Sequence, residues 1–464
     1  MGKRFGQKSK FTITRTISYR GKDPEKPRVL LLAPTGIAAI NINGNTIHSG
    51  LKIPINVFGK TVPRLTDQKR STLRNNLSEV QLIIIDEVSM VSNKLLLYIH
   101  QRLVEIFGCP PEMPFAGISV LFSGDLYQLP PIKAAPVYAL YNGNNVMQNV
   151  DLLWRKFQLA ELEEVMRQKG DSSLIDVLNK VRTGNVDPQC ENLLKSRFIA
   201  STDPNYPNDA LHIFAENSPA KKHNEDMLKK NNNTLYNVVA LDRMPKNVSR
   251  AQINNVLNKS QSETGGLTAV LMIKVDSRVM LTSNVDIEDR LINGQVGTVK
   301  KVVSNTEGNV VKIYVKFDDS KAGNNASKKD NYGKQLGLVP ISKISVDIIL
   351  KTNKPSSPVI KRTQFPLMLA WACTIHKVQG LSLQKAVVSF DLERQRGFKC
   401  GQMYVALSRV TSTEGMYLTG LYKSSAIKAD PSVTDEYERL RTENILNPVE
   451  CIDQTENSIT ITLL

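Results

Sequence analysis

Four aliphatic residues run straight into two acids: Leu82, Ile83, Ile84 and Ile85, then Asp86 and Glu87. An apolar run with no polar alternation fits a strand buried on both faces of a parallel sheet. Open sheets of that kind bind ligands beyond the carboxyl ends of their strands. Two acids at such an edge suit a divalent metal on one and a polarised water on the other. Alone, the run reads equally well as a strand followed by a solvated acidic turn. Its neighbours shift that balance.

Residues 29–32 form a second apolar run, ending in Ala33-Pro34-Thr35-Gly36, and Ser119–Phe122 form a third, ending in Ser123-Gly124-Asp125. Apolar strands separated by helix-length spacers predict a parallel α/β sheet. Between them, 95–107 predicts a helix with Leu96, Ile99, Leu103 and Ile106 on one face, and His100 as a partly exposed histidine. Residues 51–77 break the rhythm with Pro54, Lys60, Pro63, Lys69, Arg70 and Arg74. They read either as an insertion that meets nucleic acid or as a plain surface excursion. A second α/β unit begins near Trp154, with a helix over 171–182 and a strand over 387–390. Within it, the Asn293-Gly294 turn and the alternation of Val311, Ile313, Val315 and Phe317 predict a small β-barrel-like insertion at 285–362. Residues 318–334 read as a long polar loop and 434–441 as a charged helix.

The chain has 464 residues, enough for about three domains. Its net charge of +16 favours a polyanionic partner, most simply nucleic acid. The five cysteines show no C-x-x-C spacing, which argues against structural zinc and against a disulfide framework. No apolar stretch reaches the roughly 18 residues of a membrane span, so no membrane association is expected. The basic first thirty residues lack the apolar core of a secretory signal, although their composition overlaps that of a mitochondrial presequence.

Several segments have a composition poorly suited to mere packing. Gln128 follows the third strand in Gly124-Asp125-Leu126-Tyr127-Gln128, where it can reach a γ-phosphate oxygen and an attacking water. Thr374-Ile375-His376-Lys377-Val378-Gln379-Gly380 gathers polar side chains beside a glycine, a composition for phosphate and nucleic-acid backbone. Arg409 ends an apolar helical turn and Arg167 follows Met166; each reads as a charge-stabilising arginine or as an ordinary salt-bridge residue. His48 and His376 read as contact residues or as structural histidines.

Taken together, APTGIAA (33–39), TIH (46–48), IIIDEVSMV (83–91), SGDLYQLPP (123–131), MRQ (166–168), TIHKVQGLSL (374–383) and YVALSRV (404–410) resemble the petite-integration-frequency (PIF) family of superfamily 1B DNA helicases, Helitron-type helicases included. The order and spacing match from about residue 29 to 425. The resemblance implies an α/β fold of two RecA-like parallel-sheet domains of the P-loop NTPase type, with a small SH3-like insertion. It implies a first domain at 1–152 with a wedge at about 51–77. A second domain would span 153–284 and 363–425, the insertion 285–362, and a tail 426–464. It implies ATP and Mg²⁺ as cofactors, and 5′→3′ movement on single-stranded or forked DNA. Asp86 would hold the metal with Ser9, and Glu87 would be the catalytic base. Gln128 would sense the γ-phosphate, with Arg167 and Arg409 completing the catalytic set. Gly6, Lys8, Ser9, Gln379 and Gly380 would bind nucleotide, and Thr35, Gly36, Thr46, His48, His376 and Lys377 would touch DNA. A monomer is expected, in the nucleus or alternatively in mitochondria, serving repair, recombination and telomere maintenance.

The chain departs from this pattern at one place. A phosphate-gripping loop has the spacing G-x-x-x-x-G-K-[ST]. Here the only candidate is Gly2 to Ser9, with Gln7 where the second glycine belongs. A side chain there interferes with close approach of backbone to phosphate. Only Met1 precedes the loop, so the first domain is expected to lack its first strand, whose loss would leave buried backbone groups unpaired; 11–19 is expected to be the helix that follows the loop. The reading is of a helicase whose ATP hydrolysis is weak as the sequence stands. The alternative is an ATPase-deficient, single-strand-binding remnant of a transposon helicase.

Overall fold

The computed structural model describes residues 11–12, 26–54, 61–139, 153–162, 164–244, 264–286, 288–349, 359–392, 397–443 and 462–463. The chain divides into two compact units, 1–206 with 379–464, and 207–378. Residues 153–206 and 379–464 group with the first motifs.

In the first unit the aliphatic runs form one parallel sheet, ordered Asn45–Thr46, Val29–Ala33, Leu82–Ile85, Ser119–Phe122. Leu32 pairs with Ile85, and Ile85 with Phe122, so the three strands end level. The segments that leave them, 34–36, 86–88 and 123–128, therefore share one edge. Ile83, Ile84 and Ile85 are buried, as a strand covered on both faces requires. Ser119–Phe122 ends the described sheet on one side, with Ser119 exposed and the other three residues half-buried.

The helix Asn93–Phe107 lies where the periodicity puts it. Ser92 caps it by accepting from the Leu95 amide, and Gly108 ends it at φ +69°. Leu96, Ile99, Leu103 and Ile106 are fully buried. His100 differs from expectation: it is buried, its Nδ1 accepts from the Phe115 amide (3.2 Å), and its Nε2 lies 3.1 Å from the Pro111 carbonyl. Burial lowers its pKa. Residues 61–77 are mostly exposed, with Val62, Leu73 and Leu77 buried. Asp67–Asn76 is a helix packed on Asn93–Phe107, and the buried Arg102 guanidinium donates to the Lys52 and Pro63 carbonyls and pairs with Glu105. Phe11–Thr12 is a short strand paired with Thr462–Leu463 rather than the start of a helix; 13–19 lie outside the described residues.

The first unit also contains the helix Ser172–Thr183, capped by Asp171 and ended by Gly184, and the parallel pair Ala386–Ser389 and Met416–Thr419. The helix Gln402–Leu407 is buried throughout, and Pro431–Glu443 is the last described helix.

In the second unit Leu211–Phe214 and Ala372–Thr374 pair in parallel beside the helix Asn217–Lys230. The remaining sheets are antiparallel. The largest orders Val339–Ile341, Val310–Phe317, Val296–Ser304, Arg278–Leu281 and Leu367–Leu369 around a core of Val299, Ile313, Val315, Ile341 and Phe365. Its strands run from Arg278–Leu281 to Leu367–Leu369 along the chain. The long loop expected at 318–334 instead contains two short helices, Asn324–Lys329 and Asn331–Leu336. No described helix is long and apolar enough to cross a membrane.

Candidate active site

The shared strand edge of the first unit gathers the catalytic candidates. Glu87 turns away from its strand in the left-handed conformation, φ 56° and ψ 52°. A side chain held there costs about 1–3 kcal/mol and persists only where surroundings enforce it. Gly124 supplies part of that enforcement. At φ +138°, a Cβ on it would lie 2.9 Å from the Val88 nitrogen and 3.3 Å from the Glu87 Cα, and the Val88 amide donates to the Ser123 carbonyl. Only glycine lets these two motifs approach so closely.

Glu87, Gln128 and Gln379 meet. Gln379 Nε2 donates to Glu87 Oε2 at 3.2 Å and lies 3.5 Å from Gln128 Oε1. All three side chains are buried, as is Asp86. The Gln379 Oε1 atom is buried without a hydrogen-bond partner, an acceptor in place for an incoming donor.

Arg167 and Arg409 stand on the same side. Arg409 is fully buried rather than presented at a surface. Its Nε donates to the Val405 carbonyl (2.7 Å), Nη1 to the Leu381 carbonyl (3.4 Å) and Nη2 to Ser408 Oγ (2.6 Å). Arg167 donates to Ser382 Oγ (2.9 Å) and the Ser408 carbonyl (3.0 Å), and the fully buried Gln168 donates to the Val410 carbonyl (2.7 Å). Burial and then the Arg167 charge hold the Arg409 pKa down to about 9, with the Glu87 carboxylate pulling the other way. Burial lowers that of Arg167 too, again opposed by Glu87. Two guanidinium groups near one carboxylate, that of Arg409 fully buried and that of Arg167 half-buried, make a site that an added polyanion would relieve. Among the described residues no three His, Cys, Asp or Glu side chains could hold a metal. Mg²⁺ commonly takes only one or two carboxylates and completes its shell with phosphate and water, so Asp86 fits that use.

The structure places the other candidates as follows. Gly380, at φ +87°, accepts from Asn41 Nδ2 through its carbonyl (3.4 Å). Gly6, Lys8 and Ser9 lie outside the described residues. Thr35, Gly36, Thr46 and His48 are in the first unit; His376 and Lys377 are in the second. Thr35 and Thr46 cap helices, accepting from the Ala38 and Ser49 amides. Each keeps a hydroxyl hydrogen for another acceptor. His48 Nδ1 lies 3.0 Å from the Ile53 carbonyl. Lys377 is half-buried with its Nζ 2.7 Å from Met368 Sδ, and burial lowers its pKa.

A second constellation went unread in the sequence. Asp125, three residues before Gln128, is buried and receives Arg182 on both oxygens (2.8 Å each). It also accepts from Tyr404 OH (2.9 Å), Tyr437 OH (3.1 Å) and the Tyr127 amide (3.1 Å). Burial alone would raise the Asp125 pKa; Arg182 and these hydrogen bonds reverse it, and the net shift is downward. Asp125 and Tyr404 sit inside motifs already quoted, so only their partnership was hidden. Arg182 and Tyr437 carried no signal beyond lying on helices.

Comparison with known proteins bears on the chain as a whole. Residues 5–192 match the family model described as PIF1-like helicase. The chain is similar to the ATP-dependent DNA helicase RRM3 of Saccharomyces cerevisiae, 28% identical over 477 residues, covering 90% of this chain and 62% of that one. It is 30% identical over 417 residues to the ATP-dependent DNA helicase PIF1 of Danio rerio, covering 89% and 57%. By sequence and by fold, the chain is similar to PIF1-type helicases. The fold resembles that of the Pif1 helicase from Bacteroides in complex with ADP-AlF3 and ssDNA, with TM-score 0.67, 26% identity, and 91% and 89% of the two chains covered. The Candida albicans Pif1 structure matches with TM-score 0.67 at 24% identity, covering 90% and 89%. The α/β, RecA-like fold class read from the motifs is thus the one observed. The chain spans about three fifths of the length of these curated relatives.

Proposed function

We propose that this PIF1-like chain is an ATP-dependent DNA helicase that moves 5′→3′ on single-stranded DNA. The observation that carries the reading is the convergence of Glu87, Gln128, Gln379, Arg167 and Arg409 within the first unit. Glu87 accepts the proton of an attacking water, and Gln128 orients that water. Gln379, already bonded to Glu87, holds the carboxylate in its left-handed corner. Arg167 and Arg409 stabilise charge that develops on the transferred phosphoryl group. Asp86 and Ser9 would hold Mg²⁺, which neutralises phosphate charge when bound. Gly6, Lys8 and Gly380 line the nucleotide. Thr35, Gly36, Thr46, His48, His376 and Lys377 contact the DNA backbone, and the basic net charge favours a binding mode without sequence readout. Action as a monomer on forked DNA, in repair, recombination or telomere maintenance in the nucleus, completes the reading, with the mitochondrion as the other compartment.

Gln7 in place of a loop glycine favours a second reading, a single-strand-binding remnant without turnover. One set of assays decides between them: ATP turnover with and without single-stranded DNA, and unwinding of substrates with 5′ or 3′ overhangs. The first reading expects DNA-stimulated turnover, slow for want of that glycine, and unwinding from the 5′ overhang only. It expects Glu87→Gln to lower turnover ~10²–10⁴-fold while DNA binding is unchanged. DNA binding with no turnover above the Glu87→Gln background sinks it.

A further inference from the structure

The helix Pro431–Glu443 lies in the part of the chain that the motifs leave without a role, yet it reaches the centre of the first unit. Tyr437 is 6% exposed, and its hydroxyl does two things at once. It donates to Asp125 Oδ1 (3.1 Å) and accepts from the Leu126 amide (3.0 Å). The Gln128 amide in turn donates to the Asp125 carbonyl (3.0 Å). The turn 125–128 is thereby closed on itself and pinned to the helix. The Tyr437 ring stacks on Tyr127, centroids 5.3 Å apart and planes at 18°, and Tyr127 OH bonds Thr434 Oγ1 (2.9 Å). The same helix takes the Trp154 Nε1 hydrogen on Glu436 (2.7 Å). Gly401 brings the Gln402–Leu407 helix, and with it Tyr404, against the other side of the turn.

From these contacts we infer that Tyr437 is a positioning residue for phosphate hydrolysis: its hydroxyl sets the 125–128 turn, and so sets where Gln128 stands relative to Glu87. The inference rests on the hydrolytic reading above and adds a residue from beyond the motifs. The contact path is continuous, from Tyr437 through Asp125 and Leu126 to Gln128, then through Gln379 to Glu87. A hydroxyl is required, because the ring alone would supply the stacking but neither hydrogen bond. Arg182 on both oxygens, Tyr404 on Oδ2 and the Tyr127 amide on Oδ1 fix the Asp125 carboxylate, so it cannot rotate to compensate.

Tyr437→Phe is the informative variant, since it keeps the ring and leaves the Asp125–Arg182 pair intact. Amide hydrogen exchange in the full-length chain reads the turn directly, without need of turnover. Faster exchange at 126–128 with unchanged exchange in Leu82–Ile85 is expected; unchanged exchange at 126–128 overturns the inference. Where the wild type turns over ATP, kcat is expected to fall about tenfold with KM within twofold. Combining it with Gln128→Ala should add no further loss, because both act through one side chain. A wild-type kcat in Tyr437→Phe, or full additivity with Gln128→Ala, also overturns it. A wild type that never turns over ATP defeats the hydrolytic reading, and with it this role of Tyr437; changed exchange would then remain as a packing effect alone.

Discussion

At the scale of single residues, Asp125 and Glu87 show two ways of keeping a carboxylate inside a protein. Glu87 sits in strained backbone beside two amides and two guanidinium groups, an environment to be used. Asp125 is saturated with donors and paired bidentately with Arg182, an environment to be held. Removing its charge leaves Arg182, only 6% exposed, as an uncompensated buried cation. Asp125→Asn should therefore destabilise the first unit by ~3–5 kcal/mol, measured by urea unfolding at neutral pH. The pH dependence supplies the sign. A carboxyl whose folded pKa is lowered stabilises the fold above its unfolded value near ~4, and that contribution disappears as pH falls through the folded pKa. The gap between wild type and Asp125→Asn should accordingly narrow below about pH 4. A gap that stays constant down to pH 2 would mean that the pair contributes little. Packing partners such as Arg182 and Tyr437 were not legible in the sequence, because nothing local distinguishes them from other helix residues. They lie 57 and 312 positions from Asp125 and meet it only when the chain is folded.

At the scale of elements, the legible parts were those fixed by local periodicity and caps. Leu82–Ile85 and Ser119–Phe122 begin and end where the apolar runs do, and Asn93–Phe107 extends the expected helix by one turn's fraction to its Ser92 cap. The two helices within 318–334 were not legible because distant groups hold them. Asp289 accepts from the Asn325 and Ala326 amides, and Asp330 caps the second helix at Gly333. A polar composition with Gly and Asn reads as loop until such an anchor is known. Close approach between elements is equally invisible. Gly401 has φ +74°, and a Cβ there would lie 2.6 Å from the Tyr127 carbonyl oxygen and 2.9 Å from that of Gln128. Gly308 has φ +83° with nothing within 4 Å. Gly401→Ala should cost ~1–3 kcal/mol and displace Gln128, lowering both melting temperature and turnover. Gly308→Ala pays the left-handed backbone cost alone, ~1 kcal/mol, with turnover unchanged. Equal effects of the two in thermal melts and turnover assays would show that contact with the Gln128 turn is unimportant.

At the scale of the whole molecule, the relevant quantity is the charge of +16 over 464 residues. A partner held through side chains that read base edges would bind with modest salt dependence. A partner held by its phosphates releases counterions, and log K then falls linearly with log salt, with slope near −0.7 per phosphate contact on a single strand. The candidate contacts are capping threonines, two histidines and Lys377, groups suited to backbone oxygens rather than to base recognition. For about four to six phosphates neutralised by lysine and arginine side chains of this basic chain, beyond the hydrogen-bonding contacts just named, the slope should lie near −3 to −4. It should be the same for oligonucleotides of different sequence, and unaltered by Glu87→Gln, because the proposed role of Glu87 is toward the nucleotide and not the DNA. Fluorescence anisotropy titrations at several salt concentrations measure it. A slope near zero, or one that changes with sequence, would place recognition in base contacts and remove the electrostatic argument for a translocating grip, since a motor that steps along a strand needs contacts repeated identically at every nucleotide.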